Sequence, residues 1–174
     1  SLPFLYVIDA EIELSRLLQD GTLEKRWVRI NQFYHGYKKT EMKAEELITR
    51  IRWNLPEPEA VLKLYKVSKR KDLDISTFTA GILLRLKKGK IQNARLAFGG
   101  VGPVVFRLPK TEEFLQGKPM LPGIFHEAGK LARDEISPIS DVRASSDYRL
   151  QLAENILLKF FHECSDNQNK KEAA

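Results

Sequence analysis

Three histidines, His35, His126 and His162, and a single cysteine, Cys164, are the side chains best suited to metal or nucleophilic chemistry. No two of the histidines stand at metal-ligand spacing, and no Asp/Glu–His pair forms a recognisable metal motif. His126 lies beside Phe125 in a helical stretch and reads as a boundary histidine. Cys164 ends a helix ahead of a polar tail, the setting of a spectator thiol. One cysteine also excludes an internal disulfide and a Cys-cluster metal site. No serine occupies a G-x-S-x-G elbow, and spacing alone pairs none of the many carboxylates. Gly99-Gly100-Val101-Gly102 invites a phosphate-loop reading, which requires a following helix whose N-terminal N–H groups meet the phosphate. Pro103 and the β-type run Val104-Val105-Phe106 follow instead, so a tight bend between strands is the better account. These residues support neither a catalytic residue of a self-contained hydrolase nor a metal site.

The charged residues are more informative. The chain has 29 basic and 23 acidic residues, a net charge of +6. Such an excess is compatible with a nucleic-acid or phosphate partner and is also common in ordinary proteins. One basic group, Lys87, Lys88 and Lys90, brackets Gly89 between two apolar runs and reads as a solvated hairpin turn. The other spans Lys63, Lys66, Lys69, Arg70 and Lys71, within Tyr65–Ser76. It reads either as a solvated loop or as a cationic loop that steers an anion such as a dinucleotide phosphate or RNA.

The elements that position these groups follow from periodicity. Phe4–Leu14 reads as a strand or half of a hairpin, Asp20-Gly21 as a turn, and Lys25–Ile30 as an alternating strand. Asn31 is placed to cap a short helical turn through Phe33 and Tyr34 that ends at Gly36. In the strand Leu47–Trp53, Ile48 and Arg50 alternate with Leu47, Thr49 and Ile51. Pro56 and Pro58 then mark a subdomain joint. Beyond it, Phe78, Ala80, Ile82, Leu84 and Leu86 share one face, as do Ala94, Leu96 and Phe98, which predicts an antiparallel hairpin with one face to the core. Val104–Leu108 is a third short strand. Helices are expected over Thr111–Gln116, from Pro122, and over Asp147–Glu163, with a frayed or disordered tail from Ser165 to Ala174. The second part is therefore α+β, a three-stranded antiparallel sheet packed with three helices.

A length of 174 residues suits about one domain, and 43 % hydrophobic residues can bury a core, which argues against wholesale disorder. The longest apolar runs, such as Phe4–Ile8, fall far short of a membrane span. The opening Ser1-Leu2-Pro3-Phe4 has no basic n-region of a signal peptide. A cytoplasmic location is the default expectation, with no membrane partner.

Four stretches carry a further signal, in order along the chain. They are Phe33–Thr40 with Glu45-Glu46-Leu47-Ile48, Tyr65–Ser76, Ala94–Gly100, and Ser137–Arg149 leading into the closing helix. Together they resemble the flavin-bearing subunit of the xanthine dehydrogenase / carbon monoxide dehydrogenase family of molybdenum hydroxylases, nearest to that of bacterial xanthine dehydrogenase.

The resemblance implies electron transfer from iron–sulfur clusters through FAD to NAD, with the molybdenum cofactor held in a separate subunit. It implies that iron–sulfur and molybdenum-binding partners lie elsewhere and that the chain is a C-terminal portion of a longer flavoprotein. Residues 1–54 would then finish the FAD-binding region, with Ser1–Leu14 resembling the strand just after the last of the family's Gly-rich FAD segments, while 55–166 form the family's C-terminal domain and 167–174 a flexible tail. Ile48 matches an aliphatic residue that packs near the cofactor, and Lys66 a lysine that contacts it. The loop Val67–Asp74 matches one beside the flavin and the NAD entrance. Leu73 departs from the acid found there in some relatives, with Asp72 and Asp74 flanking it. Asp141, Arg143, Tyr148 and Arg149 are expected to form an ion pair and helix start. The alternative is a non-catalytic basic module for nucleic acid or an acidic protein. No RNA- or DNA-binding motif supports it, so no nucleic-acid partner is expected. The family's Gly-rich pyrophosphate-wrapping segments are absent, so FAD retention by this chain alone is not expected.

Overall fold

The computed structural model describes residues 2–70 and 75–172. In chain order the elements are α1 (Leu2–Val7), β1 (Glu11–Leu17), β2 (Leu23–Arg29), α2 (Ile30–Phe33), β3 (Tyr34–Gly36), β4 (Lys39–Thr40) and β5 (Leu47–Arg52). There follow β6 (Ala60–Val67), β7 (Phe78–Lys87), β8 (Lys90–Gly99), β9 (Phe106–Arg107), α3 (Pro109–Leu115), α4 (Pro122–Asp134) and α5 (Ser146–Glu172). The strands form antiparallel sheets in the orders β2-β1-β5, β3-β4 and β6-β7-β8-β9. The α+β class is as expected. Among the described residues no helix is long and apolar enough to cross a membrane.

The β7–β8 hairpin forms because its period-two apolar residues meet across the ladder. Ile82 pairs with Leu96, and Ala80 with Phe98, while Lys88 and Gly89 turn the chain with positive φ of 51° and 72°. The face carrying Phe78, Ala80, Ile82, Leu84, Leu96 and Phe98 is fully covered by α3, α4 and α5. Phe125 of α4 and Phe160 of α5 stack over it at 6.0 Å. Each such ring removed from water contributes on the order of 1.5–3 kcal/mol. The Gly-rich run after β8 is a bend, not a phosphate loop. Gly100 sits at φ +80°, where an added Cβ would meet the Thr77 carbonyl oxygen at 2.6 Å, and β9 follows.

Several expectations are corrected. Leu2–Val7 is helical, and the strand begins only at Glu11. A short apolar run has no period long enough to discriminate helix from strand, and here tertiary contacts decide. Pro3, Tyr6 and Val7 are buried, and the Tyr6 carbonyl accepts a hydrogen bond from Arg107 at 3.1 Å. The sheet expected to have three strands has four. β6 carries Lys63 and Lys66 on opposite faces and so shows no clean alternation; an edge strand tolerates both, with Lys63 3.9 Å from the Glu163 carboxylate of α5 and Lys66 exposed. It pairs with β7 along its whole length, from Ala60 opposite Arg85 to Val67 opposite Phe78. The third expected strand, Val104–Leu108, shrinks to Phe106–Arg107. Asn31 caps nothing. Arg29 holds the N-cap position of α2, and the Asn31 amide donates to Asp9 at 2.9 Å. The closing helix continues past Cys164 to Glu172, since no glycine or proline interrupts Ser165–Glu172.

The hairpin also does not bury one face alone. Its second face holds Gly81, Leu83, Ala97 and Gly99, and α1 lies across it. A Cβ at Gly81 would sit 2.8 Å from the Pro3 carbonyl oxygen. Leu83 and Ala97 join Tyr6, Val7, Ile12, Leu14, Val28, Ile30 and Phe33 in a second apolar cluster. The two parts on either side of the proline joint thus share a core.

Where β5 begins, Glu46 fixes it to β2. Its carboxylate accepts from Arg26 Nε at 2.7 Å and Nη2 at 2.8 Å, and from the Lys43 backbone N–H at 2.7 Å. The Arg26 hydrogen bond is the largest cause that draws the Glu46 carboxyl from the usual 4.5 down to about 2. Two expectations follow from this packing. Gly81→Ala should lose about 1–3 kcal/mol in urea denaturation through overlap with Pro3, whereas Gly123→Ala, open to solvent, should stay within about 0.5 kcal/mol. An unchanged Gly81→Ala protein would mean that α1 is free to move off the sheet. For Glu46, a depressed folded pKa means that its stabilisation is complete above pH 4.5 and is lost as pH falls toward 2. The stability gap between the wild-type chain and Glu46→Gln should therefore be widest at neutral pH and close across that window.

Candidate functional site

Lys66 lies near the end of β6, opposite Thr79 of β7. Alternation divides the strand. Val61, Tyr65 and Val67 pack toward the helices, while Leu62, Leu64 and Lys66 face the side on which α1 rests. Lys66 is exposed and forms no ion pair among the described residues. It is therefore a strand residue, where the sequence suggested a loop.

The strand is held in place from its inward side. The Tyr65 hydroxyl donates to Glu163 of α5 at 3.0 Å, and Glu163 also accepts from Lys159 at 2.8 Å. Lys159, ahead of Tyr65, holds the Glu163 carboxyl below its usual value, while burial and the Glu163 hydrogen bond push the Tyr65 hydroxyl up. After Val67, the Thr77 N–H bonds the Val67 carbonyl at 2.8 Å and closes the base of the loop. Lys69 Nζ donates to the Val142 carbonyl at 2.9 Å. A cleft of about 480 Å³ lies between these two segments, lined by residues that include Lys69, Thr77, Arg143, Ser145 and Tyr148. Of the expected loop, Lys71, Asp72, Leu73 and Asp74 lie outside the described residues.

The wall of that cleft is an ion-paired turn. Arg149, 4 % exposed at the start of α5, donates to Asp141 at 2.7 Å and to the Ile139 carbonyl at 2.8 Å. Arg143 Nη2 lies 3.1 Å from Asp141. The Arg149 hydrogen bond holds the Asp141 carboxyl well below the usual range. Tyr148 stays half-exposed beside them.

Ile48 stands on β5, opposite Leu14 of β1, and is 48 % exposed. Simple alternation would put it with Arg50 and opposite to Ile51. A bulge at Thr49 reverses this, so that Ile48 and Ile51 share the face of the buried Leu14 and Ile12. The bulge has a polar cause. Thr49 donates to the buried Glu13 carboxylate at 2.7 Å and meets the Ser15 hydroxyl at 2.9 Å. Ile48 and Lys66 thus belong to different sheets, and no hydrogen bond or described cleft joins them.

A second cleft, about 850 Å³, was not legible from the sequence. It separates the Arg52–Glu57 segment from the outer face of β7 and β8, and Trp53 and Leu55 are exposed along it. Its charges are matched in pairs: Arg52 with Glu11 at 2.8 Å, Arg85 with Glu57 at 3.0 Å and Arg95 with Asp9 at 2.9 Å.

Burial pushes the Cys164 thiol up to about 11, which keeps it protonated and unreactive at neutral pH. His35 bonds Glu41 at 2.7 Å in an exposed pair, and the His162 ring packs edge-on against Phe161. Among the described residues there is no cluster of three or more His, Cys, Asp or Glu able to hold a metal ion.

Comparison with known proteins supplies the context for this geometry. Over 155 residues the chain is 28 % identical to the xanthine dehydrogenase FAD-binding subunit of Escherichia coli O157:H7, covering 84 % of this chain and 53 % of that one. It is 43 % identical over 94 residues to the xanthine dehydrogenase of Blastobotrys adeninivorans, covering 52 % of this chain and 7 % of that protein. It is 28 % identical over 138 residues to the glyceraldehyde dehydrogenase medium chain of Sulfolobus acidocaldarius, covering 79 % of this chain and 48 % of that one. The chain thus spans about half the length of these shorter relatives and a small part of the longer ones. Among solved structures, a Cu,Mo-CO dehydrogenase in its cyanide-inactivated form matches with a TM-score of 0.80 at 25 % identity, over 91 % of this chain and 53 % of that one. Quinoline 2-oxidoreductase from Pseudomonas putida 86 shares the fold, with a TM-score of 0.80 at 23 % identity, over 95 % of this chain and 55 % of that one. Residues 63–164, from β6 to the middle of α5, match the CO dehydrogenase flavoprotein C-terminal domain, and the chain belongs to that family.

Proposed function

We propose that this chain is the C-terminal portion of the FAD-binding subunit of a xanthine dehydrogenase-like oxidoreductase, in which electrons pass from iron–sulfur clusters through FAD to NAD. The observation that carries this reading is the domain match over residues 63–164, together with relatives named as FAD-binding or medium-chain subunits that the chain half spans. In this reading residues 1–54 complete the FAD-binding region, 55–166 form the C-terminal domain and 167–174 a tail. The partners are an iron–sulfur region and a molybdenum-binding subunit, with substrate oxidised at the molybdenum cofactor.

The residues present fit one end of the cofactor. Lys66 offers an unpaired cation on an open sheet face, and Ile48 a half-exposed aliphatic surface at a sheet edge. Bound FAD supplies the redox chemistry that the side chains of this chain lack. Lys66 would place a fixed cation beside the flavin, where positive charge favours the reduced, negatively charged ring. Its backbone does not drift, because Tyr65 anchors the neighbouring position to α5 through Glu163. Ile48 would offer the cofactor an apolar contact. The Gly-rich segments with which the family wraps the pyrophosphate are not in this sequence. One cation and one aliphatic contact do not offset the cost of ordering so large a ligand.

The nucleic-acid alternative loses its footing in the same geometry. The basic group that suggested it is partly spent inside the fold, with Lys63 3.9 Å from Glu163 and Lys69 bound to a backbone carbonyl. Only weak retention on nucleic acid, erased by moderate salt, is expected.

The 174-residue chain should purify colourless and should not oxidise NADH; a yellow chain with stoichiometric FAD would show that the binding elements are misplaced. In a subunit extended to the length of the relatives, Lys66→Met should keep FAD but lower its potential by about 30 mV, the equivalent of roughly 1.4 kcal/mol for a two-electron couple. Turnover with NAD should slow with it. An unchanged potential would reduce Lys66 to a surface charge.

A further inference from the structure

Five residues of β1, Glu11 to Ser15, face the six residues of β5, so one residue of β5 has no partner. Both ends of this mismatch are fixed. Arg52 Nε donates to Glu11 at 2.8 Å, and Glu46, just ahead of β5, accepts from Arg26 and from the Lys43 N–H, each at 2.7 Å. The extra residue must therefore be accommodated between them, and its position decides which face its neighbours take. With the bulge at Thr49, Ile48 lies opposite Leu14 on the apolar face. With the bulge one residue earlier, Thr49 would lie opposite Leu14 and Ile48 would be the residue without a partner. The backbone ladder does not choose between the two, since each leaves one residue unpaired.

A side-chain pair makes the choice. The Thr49 hydroxyl donates to the Glu13 carboxylate at 2.7 Å and lies 2.9 Å from the Ser15 hydroxyl. Glu13 and Ser15 are each 4 % exposed. Arg50 Nε is 3.8 Å from Glu13, an ion pair too long for a hydrogen bond. Among the described residues, Thr49 thus supplies the side-chain hydrogen bond to this buried carboxylate, which is costly to leave without one.

We propose that Glu13 and Thr49 are positioning residues for the cofactor: their hydrogen bond holds the bulge at the one place that presents Ile48 to the flavin. The inference rests on the function proposed above, in which Ile48 packs against FAD. Positioning here is separable from stability, because the anchors at Glu46 and Arg52 do not involve Thr49. Loss of the hydroxyl displaces Ile48 without detaching β5 from β1. The proposal also gives the buried carboxylate a task. An apolar residue at position 13 would offer Thr49 no acceptor and would let the bulge migrate along the strand.

Nuclear Overhauser spectra of the 174-residue chain test the register directly. Leu14 should contact Ile48 in the wild type and residue 49 in Thr49→Val, which keeps the shape of threonine and removes its hydroxyl. Thr49→Ser keeps the donor and Glu13→Gln keeps an acceptor oxygen, so both should retain the wild-type contact. In a subunit extended to the length of the relatives, Thr49→Val should raise the Kd for FAD about tenfold, the scale of one aliphatic contact. Thr49→Ser should restore it. Ile12→Val, a destabilised control in the same sheet, should leave it within about twofold. A Leu14–Ile48 contact that survives in Thr49→Val would overturn the proposal, as would a Thr49→Val chain that no longer folds, since the two anchors would then not hold β5. A yellow extended subunit that binds FAD equally well with Thr49→Val would overturn it and leave the flavin reading standing. A wild-type extended subunit that purifies colourless would overturn both.

Discussion

The seat of α1 on the outer face of the β6-β7-β8-β9 sheet is the contact on which the rest of the chain depends. It works because that face is built from small residues. Gly81 admits the Pro3 carbonyl, Ala97 is fully buried under the helix, and the Gly99 position lies near the Pro3 ring. At the other end of α1, Asp9 turns the chain with a φ of 50°, a conformation that Asp tolerates better than most residues. Its carboxylate meets Arg107 at 2.9 Å and Arg95 at 2.9 Å, while Arg107 grips Glu112 through Nε and Nη2 at 2.6 and 2.8 Å. Glu112 in turn accepts the Leu96 N–H at 2.7 Å. One network therefore ties the first helix to β8, β9 and α3. The proline-rich connection at Pro56 and Pro58 spans two parts that share a core, and it does not separate independent folding units.

That seat has a consequence for charge. A modest positive excess, read from composition alone, suggests an external anion. In the structure the arginines nearest the joint are committed internally, to Asp9, Glu11, Glu57 and Glu112. Of these, the Arg107–Glu112 pair is partly buried, screened less by salt than the exposed Arg52–Glu11 and Arg85–Glu57 pairs and costly to break one partner at a time. They hold geometry. Lys66, by contrast, forms no ion pair among the described residues.

What the sequence disclosed follows the strength of each local pattern. β7 and β8 alternate over ten residues each, and α4 is bounded by Pro122 and carries a continuous apolar stripe, so their placement was clear. α1 is six residues long and almost wholly apolar, too short for any period to register. β6 is masked by Lys63 and Lys66, which interrupt its apolar alternation on both faces. The face of Ile48 was inverted by one bulge, which originates in a hydrogen bond between Thr49 and a buried carboxylate 36 residues away. No local rule sees such a partner. The candidate site was legible only as a resemblance of motifs, and periodicity alone would have left Lys66 in a solvated loop. The cleft at Trp53 was illegible for the same reason as the bulge: its walls come from segments far apart in the chain.

Both candidate flavin contacts sit on edge strands, Ile48 on β5 and Lys66 on β6. An interior strand has both faces and both backbone edges occupied, and in this chain the inner sheet face is filled by aromatic packing. An edge strand still has backbone groups and outward side chains to offer, at the cost of being a site for unwanted pairing. The α1 seat joins the two sheets in one core without bringing these two edges together, so in the function proposed above Ile48 and Lys66 would offer two separate contacts to the cofactor, and the contacts that retain it would come from elsewhere in the subunit.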